Sequence, residues 1–165
     1  DDVGKPSPGH HCGPWRGPDD MTVKVHWGWD KEALYLAAEV TDDRHRNTQT
    51  GDMIWNGDAL QMRVGQSNFA LALTEAGVAF HQFSGPDNTL RDKAKFKVVR
   101  NDETKTTLYE LRLPLAVLGV EPGTDFAFNI VFLDNDEGAG HRYWLQLAPG
   151  LCGRGAASPR YVLAE

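Results

Sequence analysis

The stretch Met21–Val40 reads MTVKVHWGW, then DKE, then ALYLAAEV, and it decides the fold. Met21, Val23, Val25, Trp27 and Trp29 recur at every second position, with Thr22, Lys24, His26 and Gly28 between them. After the polar tripeptide Asp30-Lys31-Glu32, the period resumes in Leu34, Leu36, Ala38 and Val40. Period two sends alternate side chains to opposite faces of an extended chain. The two halves therefore predict a β-hairpin with one face turned to a core. On that pattern Trp27 and Trp29 are expected inside.

The same signature continues outward. Strands are predicted around Leu60, over Phe69–Leu73 and Val78–Phe83, over Ala94–Arg100 and Thr107–Leu113, and over Phe126–Leu133, Tyr143–Leu147 and Tyr161–Leu163. Turn chemistry punctuates them at Glu75-Ala76-Gly77, Asn101-Asp102-Glu103 and Pro122-Gly123. Only Pro114–Gly119 suggests a helical turn. Many short strands without helical periodicity predict an all-β fold, an antiparallel two-sheet β-sandwich of jelly-roll or immunoglobulin-like type. Residues 1–20, rich in Pro and Gly, read as an irregular lead-in packed on a single domain spanning residues 21–165.

The chain has 165 residues, a one-domain size. No apolar run approaches the ~20 residues that span a bilayer, so no membrane partner is expected. The polar start reads as linker rather than signal peptide, which predicts a longer parent chain. With 17 basic against 23 acidic residues the net charge is −6, and the basic footprint of a nucleic-acid binder is missing. Arg91, Lys93, Lys95 and Lys97 read as a solvated strand face. Cys12 and Cys152 either form one disulfide that pins the lead-in to the last loop or stay as two free thiols.

The residues that carry chemistry sit mainly in Ile54–Val64, IWNGDALQMRV. Trp55 lies on a turn bent by Gly57 and Asp58. The following strand places Leu60, Met62 and Val64 on one side and Gln61 and Arg63 on the other. An indole beside polar strand positions suits a pyranose, whose apolar face stacks while its hydroxyls are hydrogen-bonded. The competing reading makes Trp55 a core or edge residue. Trp15, in a loop, is a second candidate contact or a cap on the sandwich end. Trp144 shares an outward, polar face with Arg142 and Gln146 if Tyr143, Leu145 and Leu147 are core. Glu110, Arg112 and Asn129 are further polar candidates. Glu110 and Arg112 have cross-strand pairing as their alternative, and Asn129 has backbone satisfaction. Asp134 and Asp136 offer calcium-type oxygen donors, as do Asp42 and Asp43; the alternative is an acidic turn. EF-hand spacing fails, because Leu145 stands eleven places after Asp134. The adjacent His10, His11 and Cys12 lack metal-site spacing. Nucleophile-elbow, zinc-protease and phosphate-loop motifs are missing, so no enzyme is predicted.

The order of these elements resembles the family 9 carbohydrate-binding modules, within the DOMON-like group of β-sandwiches. Trp29-Asp30 with Leu34-Tyr35-Leu36 and Glu39-Val40-Thr41-Asp42-Asp43 is similar to their opening hairpin. Trp55-Asn56-Gly57-Asp58 is similar to a Trp-x-Gly-Asp segment. Tyr109–Leu115 is similar to an x-E-x-x-I/L-P strand, and Phe128–Asp136 to a late strand ending in an acidic loop. The resemblance implies a non-catalytic, extracellular module that targets an appended catalytic domain to polysaccharide. It also implies structural calcium and no organic cofactor. The family grips terminal sugars between two tryptophans. Trp55 falls at one clamp position and Gln61 at a hydroxyl-binding position. The loop expected to supply the second, residues 148–159, holds no aromatic, which leaves Trp144 or Trp15. Two alternatives remain open. One is a haem b electron-transfer domain ligated through Met53 or Met62 with His81 or His141. The other is a structural or cell-surface module with no small ligand.

Overall fold

A computed structural model describes residues 2–4 (backbone), 15–86, 88–136, 143–151 and 158–164. Cys12, Cys152, Arg142 and His141 lie outside the described residues.

Among the described residues, eleven strands form two antiparallel sheets. They are β1 (Asp2–Gly4), β2 (Met21–Trp29), β3 (Ala33–Asp42), β4 (Ala59–Val64), β5 (Ser67–Thr74), β6 (Gly77–Ser84), β7 (Lys95–Asn101), β8 (Thr106–Pro114), β9 (Asp125–Asp134), β10 (Tyr143–Gln146) and β11 (Arg160–Val162). One sheet runs β1-β10-β9-β4-β5-β6, with β11 on the free part of β9; the other runs β2-β3-β8-β7. This is the all-β sandwich that the alternation predicts. Three short elements depart from the loop reading. A 3-10 turn covers Gly51–Asn56, a single helical turn α1 covers Leu90–Lys93, and the lead-in contributes β1, which pairs with β10. A three-residue strand has no periodicity of its own to read, so only its partner reveals it. The second helical turn α2, Leu115–Leu118, falls inside the predicted Pro114–Gly119 turn.

The main core lies between the sheets. Leu34, Leu36 and Ala38 of β3 and Leu111 and Leu113 of β8 meet Leu60, Met62, Phe69, Leu71, Phe128 and Ile130 of the larger sheet. Burying a side chain of this kind stabilises the fold by about 1.5–3 kcal/mol. A second apolar layer lies on the outer face of the larger sheet, where Ile54 and Trp55 of the 3-10 turn, which lies over β4, β5 and β6, pack in one cluster with Ala59, Ala70, Ala72, Val131, Leu133 and Trp144. The alanines leave room for that turn to lie close.

The expectation for Trp27 and Trp29 is corrected. Along the inward side of β2 burial fades, from Met21 buried through Val23 and Val25 partly buried to Trp27 at 42% and Trp29 at 48% exposed. β2 is an edge strand, and its far end stands over Phe126, Phe128, Tyr161 and Leu163 as one wall of an aromatic cleft of about 220 Å³. Alternation fixes which side a residue faces, but not how fully the opposing sheet covers it.

Candidate functional site

Two features stand out: a cluster of buried carboxylates at one end of the sandwich, and a polar patch on the outer face of the larger sheet beside Trp55.

The turn carrying Trp55 is fixed from beneath. Buried Asn47 donates from Nδ2 to the Ile54 carbonyl at 2.8 Å and to the Asp58 carbonyl at 3.0 Å, so its amide straps the two ends of the turn together. A β-carbon on Gly57 would come within 2.5 Å of the Asn47 side chain, so position 57 accepts glycine alone without a shift. Asp58, buried next to it, accepts from the backbone N–H of Arg46 and, at 2.5 Å, from that of Asn135. The Trp-Asn-Gly-Asp motif is thus a joint: the glycine admits the strap, and the aspartate ties the turn to the end of β9.

Beyond the turn, β4 presents Gln61 and Arg63 on the outer face. Gln61 donates to Asn68 Oδ1 at 3.1 Å. The cross-strand row through Gln61 holds Val131 on β9 and Ala70 on β5, and the row through Arg63 holds Asn129 and Asn68. Gln146 pairs with Val131 and so joins the first row. Trp55, Gln61 and Gln146 therefore share one face, as the sequence suggests.

Other candidates are placed elsewhere. Asn129, fully buried, accepts from Ile130 and Ala148 N–H and donates to the carbonyls of Ala148 and Pro149, so its amide is committed to backbone. Trp144 does face outward with Gln146, but it is only 5% exposed, buried in the outer apolar layer with Val131 and Leu133 of β9. Its role is packing. Trp15 donates its indole N–H to the Met21 carbonyl at 3.0 Å and packs against the main core, capping the opening between β2 and β10. Glu110 and Arg112 sit on β8, on the outer face of the opposite sheet. There they flank a wide trough of about 540 Å³ over Gly28 and Ala37, and Arg112 bonds Glu32 at 3.0 Å. Met62 faces the core while His81 faces outward from β6, so these two cannot share one iron.

The carboxylate cluster unites both acidic pairs named from the sequence and adds two residues. Asp42 ends β3 and Asp134 ends β9. Asp42, Asp134 and Asp136 bring one oxygen each within 4.8 Å of one another, as do Asp20, Asp43 and Asp136, and as do Asp42, Asp58 and His45 with its ring nitrogen. Five of the six aspartates are buried. Among the described residues two arginines stand by the cluster. Arg16 reaches Asp20 at 2.5 Å and Asp136 at 2.7 Å, and Arg100 stands 3.8 Å from Asp42. Burial, then the charges of Asp42 and Asp134, push the Asp58 carboxyl well above its ordinary range. Asp20 moves the other way: burial pushes it up, but hydrogen bonds from the Arg16 side chain and backbone outweigh that and hold it low. Buried carboxylates drawn close together, all hard oxygen donors, fit a divalent cation of the calcium type. Asp42, Asp134 and Asp136 are the residues that would hold it. Asp20 and Asp58 lie far from the others in sequence, and the pairing of Met21 with Asp42, the Asp43 N–H to Asp20 carbonyl bond and the bonds of Asp58 to Arg46 and Asn135 bring them in.

Residues 10–148 match the model of a family described as carbohydrate family 9 binding domain-like. Among solved structures, a family 9 module from Caldicellulosiruptor kristjanssonii in complex with cellotriose superposes with a TM-score of 0.58 at 17% identity, over 80% of this chain and 68% of that one. Its complex with glucose gives a TM-score of 0.58 at 16% identity, over 80% and 69%. At that identity the likeness speaks for the fold. Among curated protein sequences there is no significant match.

Proposed function

Because the chain belongs to the family 9 carbohydrate-binding domains, a non-catalytic family, we propose that it holds glycan on the outer face of its larger sheet, with a sugar ring stacked on Trp55. The observation that carries this reading is the strapped turn. Asn47, Gly57 and Asp58 fix a partly exposed indole beside Gln61 and its partner Asn68. A fixed aromatic platform loses little freedom when a ring settles on it, and amides on the same face serve hydroxyls. The relatives bound to cellotriose and glucose support a β-linked glucan as the first ligand to test.

The finer role is that of an accessory module, tethering a catalytic domain of the same polypeptide to its polymer. A polysaccharide is met outside the cell, so this reading makes the protein extracellular; no described helix is long and apolar enough to cross a membrane. Calcium at Asp42, Asp134 and Asp136 would neutralise the buried charge and lock the ends of β3 and β9. Through the Asp58–Asn135 bond it would also steady the Trp55 turn.

Pull-down on insoluble polysaccharides tests the reading. Retention of the native protein, lost in Trp55→Ala at an unchanged melting temperature, is the expected result. Retention of the variant at native strength would remove Trp55 from the site.

A further inference from the structure

Arg63 projects from the middle of β4 onto the proposed glycan face, one cross-strand row from Gln61. Its Nε is buried and has no hydrogen-bond partner, and no ion pair to its guanidinium is found among the described residues. Both polar neighbours in its row are already occupied. Asn129 is committed to backbone on both sides of its amide, and Asn68 Oδ1 accepts from Gln61. A partly buried guanidinium normally finds acceptors in protein, because leaving its donors unmet is costly.

Among the described strand positions, this face supplies no free anion either. Its outward positions among the described residues are Ala59, Gln61 and Arg63 on β4; Asn68, Ala70 and Ala72 on β5; Ala79, His81 and Phe83 on β6; and Trp144 and Gln146 on β10. On β9 the one acid facing this way is Asp125, which is paired with Arg160. It stands four residues from Asn129, about 13 Å along the strand. An otherwise acidic molecule, at net charge −6, thus presents, among its described residues, an uncompensated cation where its ligand is proposed to lie.

From this geometry we infer that the ligand supplies the missing anion: the glycan carries an acidic substituent, a uronate carboxylate or a sulfate ester, which Arg63 binds through its planar fork of donors. Guanidinium suits such planar or multi-oxygen anions because two parallel N–H donors meet two oxygens. This inference rests on the stacking site at Trp55 and narrows its substrate class.

The test is a glycan array that prints matched neutral, carboxylated and sulfated versions of the same backbones. It is probed with the native protein, Arg63→Gln and Trp55→Ala, and followed by calorimetric titration of the best set. The native protein is expected to favour a charged member by at least about tenfold at low salt, as charge-assisted hydrogen bonds allow. Which charged version wins identifies the substituent. In Arg63→Gln the charged member should fall to the level of its neutral counterpart, while neutral binding stays within about threefold and so certifies the fold. Equal binding of neutral and charged members, all of it lost in Trp55→Ala, would overturn the inference and leave the stacking site standing. Binding that survives in Trp55→Ala, or no binding at all, would overturn both.

Discussion

Removing divalent cations is the perturbation that bears most sharply on the carboxylate cluster. Six aspartates converge there, five of them buried, against the guanidinium groups of Arg16 and Arg100. A cation that binds this arrangement only in the folded state adds RT ln(1 + [L]/Kd), about 2.7–4.1 kcal/mol at 100 to 1,000 times Kd. For a domain of this size each kcal/mol moves Tm by roughly 2–4 °C, so calcium should raise Tm by about 5–16 °C over a chelated sample. Scanning fluorimetry in EDTA, then in millimolar calcium, measures it. The gain should also depend on pH. Asp58, raised in the folded state, keeps its proton to a higher pH folded than unfolded. Its contribution is therefore fully present below about pH 4, the unfolded value, and fades as pH rises through the higher folded value. Chelated protein should gain stability on mild acidification from pH 8 to pH 5. Asp20, held low, loses its contribution only below about pH 4. Calcium competes with that proton, so its stabilising effect should be larger at pH 8 than at pH 5. A Tm indifferent to calcium at pH 8 would refute the reasoning: the protein's own side chains would then balance the cluster.

Three further outcomes follow from the packing. Trp144→Ala, by emptying a buried site in the outer apolar layer, should cost about 3–5 kcal/mol, while Trp144→Phe should keep most of the stability and bind glycan within a few-fold of native; a phenylalanine variant that folds but loses binding would return Trp144 to the ligand site. Gly57→Ala, whose β-carbon meets Asn47 at 2.5 Å, should destabilise by about 1–3 kcal/mol and weaken glycan binding as the Trp55 turn shifts, read by melting and titration together. Trp27→Ala and Trp29→Ala should each lower Tm far less than Trp144→Ala, since each indole is nearly half exposed; a loss as large as that of Trp144 would mean that the cleft end of β2 is core after all.

The architecture was legible because period two survives wherever two sheets face each other. Leu34, Leu36, Leu60, Met62, Phe128 and Ile130 all lie where alternation puts them. The misreadings come from what covers a face. Trp144 faces outward as expected, yet it is buried within the outer apolar layer; Trp27 and Trp29 face inward, yet both stay nearly half exposed at the cleft end of β2. Short-range patterns do not report such long-range cover. The same holds for the acidic cluster. Asp42, Asp134 and Asp136 stood out as acidic runs, whereas Asp20 and Asp58 enter through strand pairing and backbone hydrogen bonds. Glu110 and Arg112 have the right composition for a binding face, but β8 belongs to the other sheet.

The most direct measurement of the central claim is calorimetric titration of cellotriose, with a panel of longer glycans, into native protein and Trp55→Ala under calcium saturation. A saturable isotherm for the native protein, lost in a variant of equal Tm, is the predicted result. Equal affinities for the two proteins would contradict it.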